Sequence, residues 1–253
     1  MAPEILKVVH LNKSFGRVKA ASNVNFALQE GVLTSIIGPN GAGKSTLINI
    51  LSGSQPADTG RVFFYGTDIT RLSIHRRVQM GLCRSFQLVN IFPEMTVFDN
   101  LQLPALAVHR RTRQILRSLR KEAAVHLAVE QLLDRIGLKQ EAGTVASALS
   151  HGDQRVLEVG VALAAQPKLL FLDEPTAGMN PVERVRILDN IRRLSKNKQT
   201  TFVIVEHDMD VVFSLSERII VLHQGEIIGD GTTEEVRNNP RVREVYLGQE
   251  VAA

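Results

Sequence analysis

The chain has 253 residues, 44% hydrophobic and 22% charged, with one cysteine and a formal net charge of +4. That balance is ordinary for a globular protein, and the length allows one large domain or a core with a smaller lobe. No apolar run approaches the roughly 18 residues that span a bilayer, a lone Cys83 excludes an internal disulfide, and "MAPEILKVVHLNKSF" lacks a signal-peptide pattern, so a cytoplasmic location is expected.

Four short β-like runs come first: "ILKVVHL", "NVNFAL", "VLTSII" and "RVFFYG", rich in branched or aromatic residues and bounded by Gly or Asn. Between the third and fourth lies "GPNGAGKST", Gly38 to Thr46, and the first helix is predicted to start there and run through "KSTLINILS". The stretch matches G-x-x-x-x-G-K-[ST], in which glycines let backbone N–H groups turn inward around an anion. The helix that follows aims its positive end at the same anion. Gly38, Pro39, Asn40, Gly41, Ala42, Gly43, Lys44, Ser45 and Thr46 are therefore read as a phosphate-binding loop. Lys44 would reach the β- and γ-phosphates, Ser45 would ligate Mg²⁺, and Thr46 would add a second donor. A tight strand-to-helix turn alone needs one glycine, not this set.

Helical periodicity dominates from about Ser73 to Gln140. Val125, Ala128, Val129, Leu132, Leu133 and Ile136 recur in steps of three and four and make one apolar stripe. Pro93 and Pro104 are expected to break this region into pieces. Cys83 is read as a small buried or half-buried thiol. Six positive charges fall in "RRTRQILRSLRK", Arg110 to Lys121, a solvated helix face or a contact for a charged partner or anionic lipid. No aromatic residue lies between Phe98 and Phe171, so this patch offers no platform for stacking bases, and no nucleic-acid partner is expected.

Strands and helices alternate again after "ALSHGDQ". "KLLFLDE" reads as a buried parallel strand, apolar without alternation. It ends in Asp173 and Glu174, where two acids are costly unless they meet cations or water. Ligands gather outside the carboxyl ends of parallel strands, which would put Asp173 near Lys44 as a Mg²⁺ ligand and Glu174 near the attacking water as general base. "PVERVRILDNIRRLSK" is a predicted helix with Pro181 in its first turn, "TTFVIVEH" a buried strand, and "RIIVLHQGEIIGDG" a hairpin closed at Gln224–Gly225. The whole is an α/β core of alternating strands and helices interrupted by a mostly helical insertion.

A phosphate loop, "LLFLDEP", and "LSHGDQ" (Leu149 to Gln154) twenty residues before that strand end together resemble the ATP-binding subunits of ABC transporters, whose signature is L-S-G-G-Q. Ser150 and Gly152 match that signature; His151 replaces its first glycine, and Asp153 precedes Gln154. The resemblance implies a P-loop NTPase core with a mixed, largely parallel sheet, an N-terminal antiparallel β-subdomain and a helical subdomain over about residues 87–165, the core being 1–86 and 166–253. It implies ATP and Mg²⁺ as ligands, with Ser150 and Gly152 closing on the γ-phosphate bound to an opposite chain. Gln87 in "RSFQLVN" takes the place of the glutamine that senses Mg²⁺ and water. His207 in "VIVEHDM" takes that of the switch histidine on the γ-phosphate, and Phe15 that of the aromatic stacked on adenine. "TAGMNP" (Thr176 to Pro181) takes the place of the loop at the subunit boundary.

The resemblance covers essentially the whole chain. "FPEMTVFDNL", "VEHDMDVV", "LHQGEIIGDGT" and "REVYLG" point in particular to the ATPases of branched-chain amino acid importers and their urea and amide relatives. The lipopolysaccharide-export ATPase is similar over much of the length. Implied partners are a second ATPase chain, identical or related, transmembrane permease subunits on the inner face of the cell membrane, and, indirectly, a periplasmic binding protein. Two other classes are weighed against this. A soluble ABC ATPase acting on nucleic acid or ribosomes usually carries two ATPase units or a long coiled-coil arm, which this chain lacks. A kinase or GTPase leaves "LSHGDQ" unexplained, and no N-K-x-D motif is present.

Overall fold

Val24, Phe26 and Leu28 are buried while Asn23, Asn25 and Gln29 between and beside them are exposed. This two-residue period lays one apolar face on a sheet. The computed structural model describes residues 2–85, 91–109 and 118–250. In it β1 (Glu4–Phe15) and β2 (Val18–Gln29) form a hairpin turned at Gly16, φ +58°. With β4 (Thr59–Phe64) and the two-residue β5 (Thr67–Asp68) they make an antiparallel sheet in the order β2-β1-β4-β5.

The remaining described strands form a second sheet in the order β10-β9-β3-β8-β7-β6. β3 (Thr34–Ile37), β6 (Leu82–Arg84), β7 (Leu169–Asp173), β8 (Thr201–Glu206) and β9 (Arg218–His223) run parallel, and β10 (Glu226–Gly231) returns antiparallel. Gln224 and Gly225, at φ +47° and +80°, close the β9–β10 hairpin, the pair of left-handed residues such a turn requires.

Helix α1 (Lys44–Ser52) lies between the two sheets, burying Leu47, Ile48 and Leu51 with Ile5, Leu28, Phe64, Phe171 and Val203. α2 (Ile74–Met80) follows the antiparallel sheet. On the other face of the parallel sheet, Leu170, Leu172, Phe202 and Ile204 pack with α3 (Val97–His109), α4 (Ser118–Ile136), α5 (His151–Ala164) and α6 (Pro181–Lys196). Of the expected stripe of α4, Val125, Val129, Leu132, Leu133 and Ile136 are buried there and Ala128 is half-buried. α7 (Met209–Leu215) packs on β3 and β8, and α8 (Thr233–Asn238) and α9 (Pro240–Glu250) flank β9 and β10. Among the described residues no helix is long and apolar enough to cross a membrane.

Two expectations for the region from 73 to 140 are corrected. Pro104 lies inside α3 and does not break it. A proline there removes one helical hydrogen bond at roughly 3 kcal/mol, and burial of Val97, Leu101 and Ala105 on the same face offsets that cost. The segment also contains a strand, β6, which pairs with β7. Cys83 sits on β6 and is buried, as expected. Part of the basic stretch at 110–121 lies outside the described residues.

Arg77 is 2% exposed and contributes to the end of α1 from α2. Its Nη1 donates to the Ile50 and Leu51 carbonyls at 2.7 Å each, and Nη2 and Nε donate to the Thr70 and Leu72 carbonyls. Burial lowers its pKa to about 10. These carbonyls include ones that no helical N–H reaches, so Arg77→Met is expected to cost about 2–4 kcal/mol. A fall in Tm of about 5–15 °C in calorimetry checks this.

Candidate functional site

The carboxyl ends of β3, β8, β7 and β6 lie side by side. Ile37 is in register with Glu206, Asp173 with Val205, and Arg84 with Phe171. Gly38, the acid pair, His207 and Arg84 therefore share one edge; the strand pattern led one to expect this of the acid pair and the phosphate loop.

The loop 38–43 is held from behind by backbone. A Cβ on Gly38 would lie 2.2 Å from the Leu222 carbonyl oxygen, and one on Gly43 2.0 Å from that of Ala20. The Gly225 N–H also donates to the Ala42 carbonyl at 2.9 Å. Gly43 caps α1 at φ +101° with no side-chain cap, which leaves the helix start to another acceptor. Lys44 is buried, and its Nζ donates to the Gly38 and Pro39 carbonyls at 2.6 and 3.1 Å. Burial lowers the Lys44 pKa, while Glu174, Asp173 and Glu206 counter it. Asn40, Gly41 and Ser45 are exposed, Pro39 and Thr46 half-buried, and Ala42 buried. Gly43→Ala is expected to cost about 2–4 kcal/mol through the clash and the left-handed backbone together. Gly41→Ala, where φ is +79° but an added Cβ meets nothing within 4 Å, should cost only about 1–2 kcal/mol. Urea midpoints compare the two directly.

Asp173 is 3% exposed and its Oδ2 accepts from Arg84 Nη2 at 2.5 Å. Arg84 Nη1 reaches back to Asn49 Oδ1 on α1, so this guanidinium ties the acidic strand end to the phosphate-loop helix. Glu174 follows at φ +46°, a left-handed conformation that costs a non-glycine residue about 1–3 kcal/mol and clusters at functional sites. Its N–H donates to the Val205 carbonyl at 2.9 Å, and its Oε1 lies 3.5 Å from His207 Nδ1. Both side chains are partly open to solvent. A buried lysine acted on by Glu174 and Asp173 at an uncapped helix start can take a phosphate chain.

Phe15 stands at the tip of the β1–β2 hairpin, 49% exposed, with Lys13 Nζ 5.6 Å from its ring centre. An aromatic in that position is not part of the core. Ser150 caps α5: its Oγ accepts from the Asp153 N–H at 3.1 Å and donates to Asp153 Oδ2 at 2.8 Å. Asp153 in turn pairs with Arg186 on α6 at 2.7 Å. Gly152 is buried so close to Glu183 that a Cβ would sit 3.0 Å from its side chain. The main packing partners of α5 are α3, α4 and α6 rather than α1, so the structure does not bring Ser150 and Gly152 to Lys44 within one chain. Gln87 lies outside the described residues.

Sequence reasoning missed Arg84, Asn49 and Glu206, and gave Thr176 no place beyond the expected boundary loop. Two carried a signal: Arg84 is the lone cation in "GLCRSF", and Glu206 stands directly before His207 in "VIVEH". An acid closing a run of apolar strand residues needs a partner.

The family "ABC transporter" matches residues 21–177, and "Branched-chain amino acid ATP-binding cassette transporter" matches residues 226–252. The "High-affinity branched-chain amino acid transport ATP-binding protein LivG" of Salmonella typhimurium is 40% identical, covering 98% of this chain and 100% of its own length. The "Probable branched-chain amino acid transport ATP-binding protein LivG" of Archaeoglobus fulgidus is 38% identical over 97% of this chain and 96% of its own. Among solved structures, the ADP conformation of MJ1267, an ATP-binding cassette of an ABC transporter, superposes with a TM-score of 0.84 at 36% identity, covering 98% of this chain and 100% of that one. The dimeric structure of MJ0796, a bacterial ABC transporter cassette, matches with a TM-score of 0.74 at 25% identity over 90% of this chain and 99% of that one.

Proposed function

Since the chain belongs to the ABC transporter family, as a transport-coupled ATP hydrolase, we propose that it powers the import of branched-chain amino acids through a membrane permease. The observation that carries this reading is the match of residues 226–252 to the branched-chain cassette family, a segment separate in sequence from the phosphate loop that ATPases share. The full-length likeness to LivG proteins supports it.

In this reading Lys44 and the N–H groups of residues 38–46 hold the β- and γ-phosphates of ATP, and Phe15 stacks on adenine. Ser45 and Asp173, with Gln87, would hold Mg²⁺. Among the described residues no group of three His, Cys, Asp or Glu could hold a metal ion. Mg²⁺ takes one or two protein ligands and completes its shell with phosphate and water. The ion would neutralise phosphate charge. Glu174 accepts the proton of the attacking water, and His207 faces the γ-phosphate and keeps the Glu174 carboxylate in place.

Ser150 and Gly152 complete the pocket from a second chain, closing two ATP molecules between two chains. The dimeric structure of the MJ0796 cassette supports the pairing of two chains. Negative charge released by hydrolysis then weakens the closed interface. The helical subdomain, about residues 87–165, receives a cytoplasmic helix of the permease against the core at 1–86 and 166–253, so that the chain sits peripherally on the inner face of the cell membrane and serves a periplasmic binding protein indirectly.

Deleting the gene is expected to abolish uptake of labelled leucine, isoleucine and valine. Restoring it with wild type, but not with a Glu174→Gln variant, should recover uptake. Unaltered branched-chain uptake in the deletion strain, with loss of urea or short-amide uptake instead, would overturn the substrate assignment.

A further inference from the structure

We propose that Glu206 is a positioning residue whose two carboxylate oxygens join the loop after β7, through Thr176, to the backbone and ring of His207. The inference rests on the reading of His207 and Glu174 given above and adds a residue to it.

Glu206 closes β8 and is 1% exposed. A carboxylate so deep is costly unless donors meet it, and its neighbours fill that need in a particular way. Oε1 accepts from Thr176 Oγ1 at 2.6 Å and from the Thr176 N–H at 3.4 Å. Oε2 accepts from the His207 N–H at 3.3 Å and lies 3.9 Å from His207 Nδ1. Each oxygen thus serves a different loop. Burial raises the Glu206 pKa, and the Thr176 and His207 donors pull it back.

The loop that Thr176 belongs to begins at Glu174. Thr176 and Met179 are buried, while Gly178 and Asn180 face outward. This is the stretch expected at the boundary with a second chain. The carboxylate is a rigid plane, so a displacement of Thr176 that moves Oε1 must move Oε2. Glu206 Oε2, 3.9 Å from His207 Nδ1, and Glu174 Oε1, 3.5 Å from it, share that ring nitrogen as their nearest contact to the imidazole. A partner pressing on the outer face of the loop therefore changes where the imidazole sits. A glutamine cannot reproduce this, because its amide nitrogen would face donors at one end or the other.

The test uses the full chain labelled with ¹³C and ¹⁵N in histidine. The His207 signals are assigned among the seven histidines by loss in His207→Gln. Thr176→Val should shift the His207 ring resonances, Thr176→Ser should leave them in place, and Glu206→Gln should shift them. Adding Thr176→Val to Glu206→Gln should produce no further change. In parallel, Thr176→Val and Glu206→Gln should each lower kcat by about tenfold, with ATP affinity within about threefold and non-multiplying effects in the double variant. The coupling is wrong if Thr176→Val leaves the His207 ring signals unmoved, if Thr176→Ser shifts them as Thr176→Val does, or if the two kcat losses multiply. If wild-type chain hydrolyses no ATP, the parent reading fails on its own, and the resonance shifts still decide the coupling.

Discussion

Glu174→Gln is expected to lower kcat for ATP hydrolysis by about 10²- to 10⁴-fold, the usual worth of a positioned general base, while ATP still binds. The replacement keeps the shape of the side chain and its contact range to His207 Nδ1, now 3.5 Å. It also leaves the N–H bond to Val205 that supports the left-handed backbone at φ +46°. What it removes is the charge able to take a proton from water. One negative charge fewer beside the polyphosphate should hold or tighten ATP affinity, so the loss falls on kcat and not on binding. Single-turnover hydrolysis with labelled ATP separates the two. Turnover within about threefold of wild type would move the base elsewhere.

Lys44→Ala is expected to weaken ATP and ADP binding by about 10²- to 10³-fold. Hydrogen bonds between a charged donor and a charged acceptor contribute about 1.5–3 kcal/mol each, and Lys44 can make more than one to the phosphates. The residue is buried, and its ammonium also braces the Gly38 and Pro39 carbonyls. Asp173, Glu174 and Glu206 all act on that ammonium, so its removal takes away a cation that all three carboxylates share. They would then repel the incoming phosphates. Titration calorimetry with ATP and with ADP reads the effect. Affinity unchanged for both nucleotides would mean that the phosphates sit elsewhere.

Local signals made much of this legible in the sequence. α1 begins at the lysine of the glycine loop and α6 at Pro181, as predicted, because caps and breakers act within a turn. The acid pair lies by Lys44, and His207 by Glu174, because parallel strands place their carboxyl ends together. β6 was not legible, since three residues are too few to show a period. Nor were the ties between distant segments. Arg84 meets Asp173 and Asn49, and Glu206 meets Thr176, through strand order that no local pattern encodes. Pro104 shows the reverse case, a local breaker overruled by a buried helix face.

The central claim is that nucleotide is closed between the Lys44 loop of one chain and the Ser150-capped helix of another. Sedimentation velocity on the Glu174→Gln chain, with and without Ser150→Arg, measures it most directly. With Mg-ATP the Glu174→Gln chain should sediment as a dimer and with ADP as a monomer. Adding Ser150→Arg should abolish the dimer while single-chain ATP affinity stays within about threefold. A chain that stays monomeric at saturating Mg-ATP, or one that dimerises as well with Ser150→Arg as without it, would contradict the account.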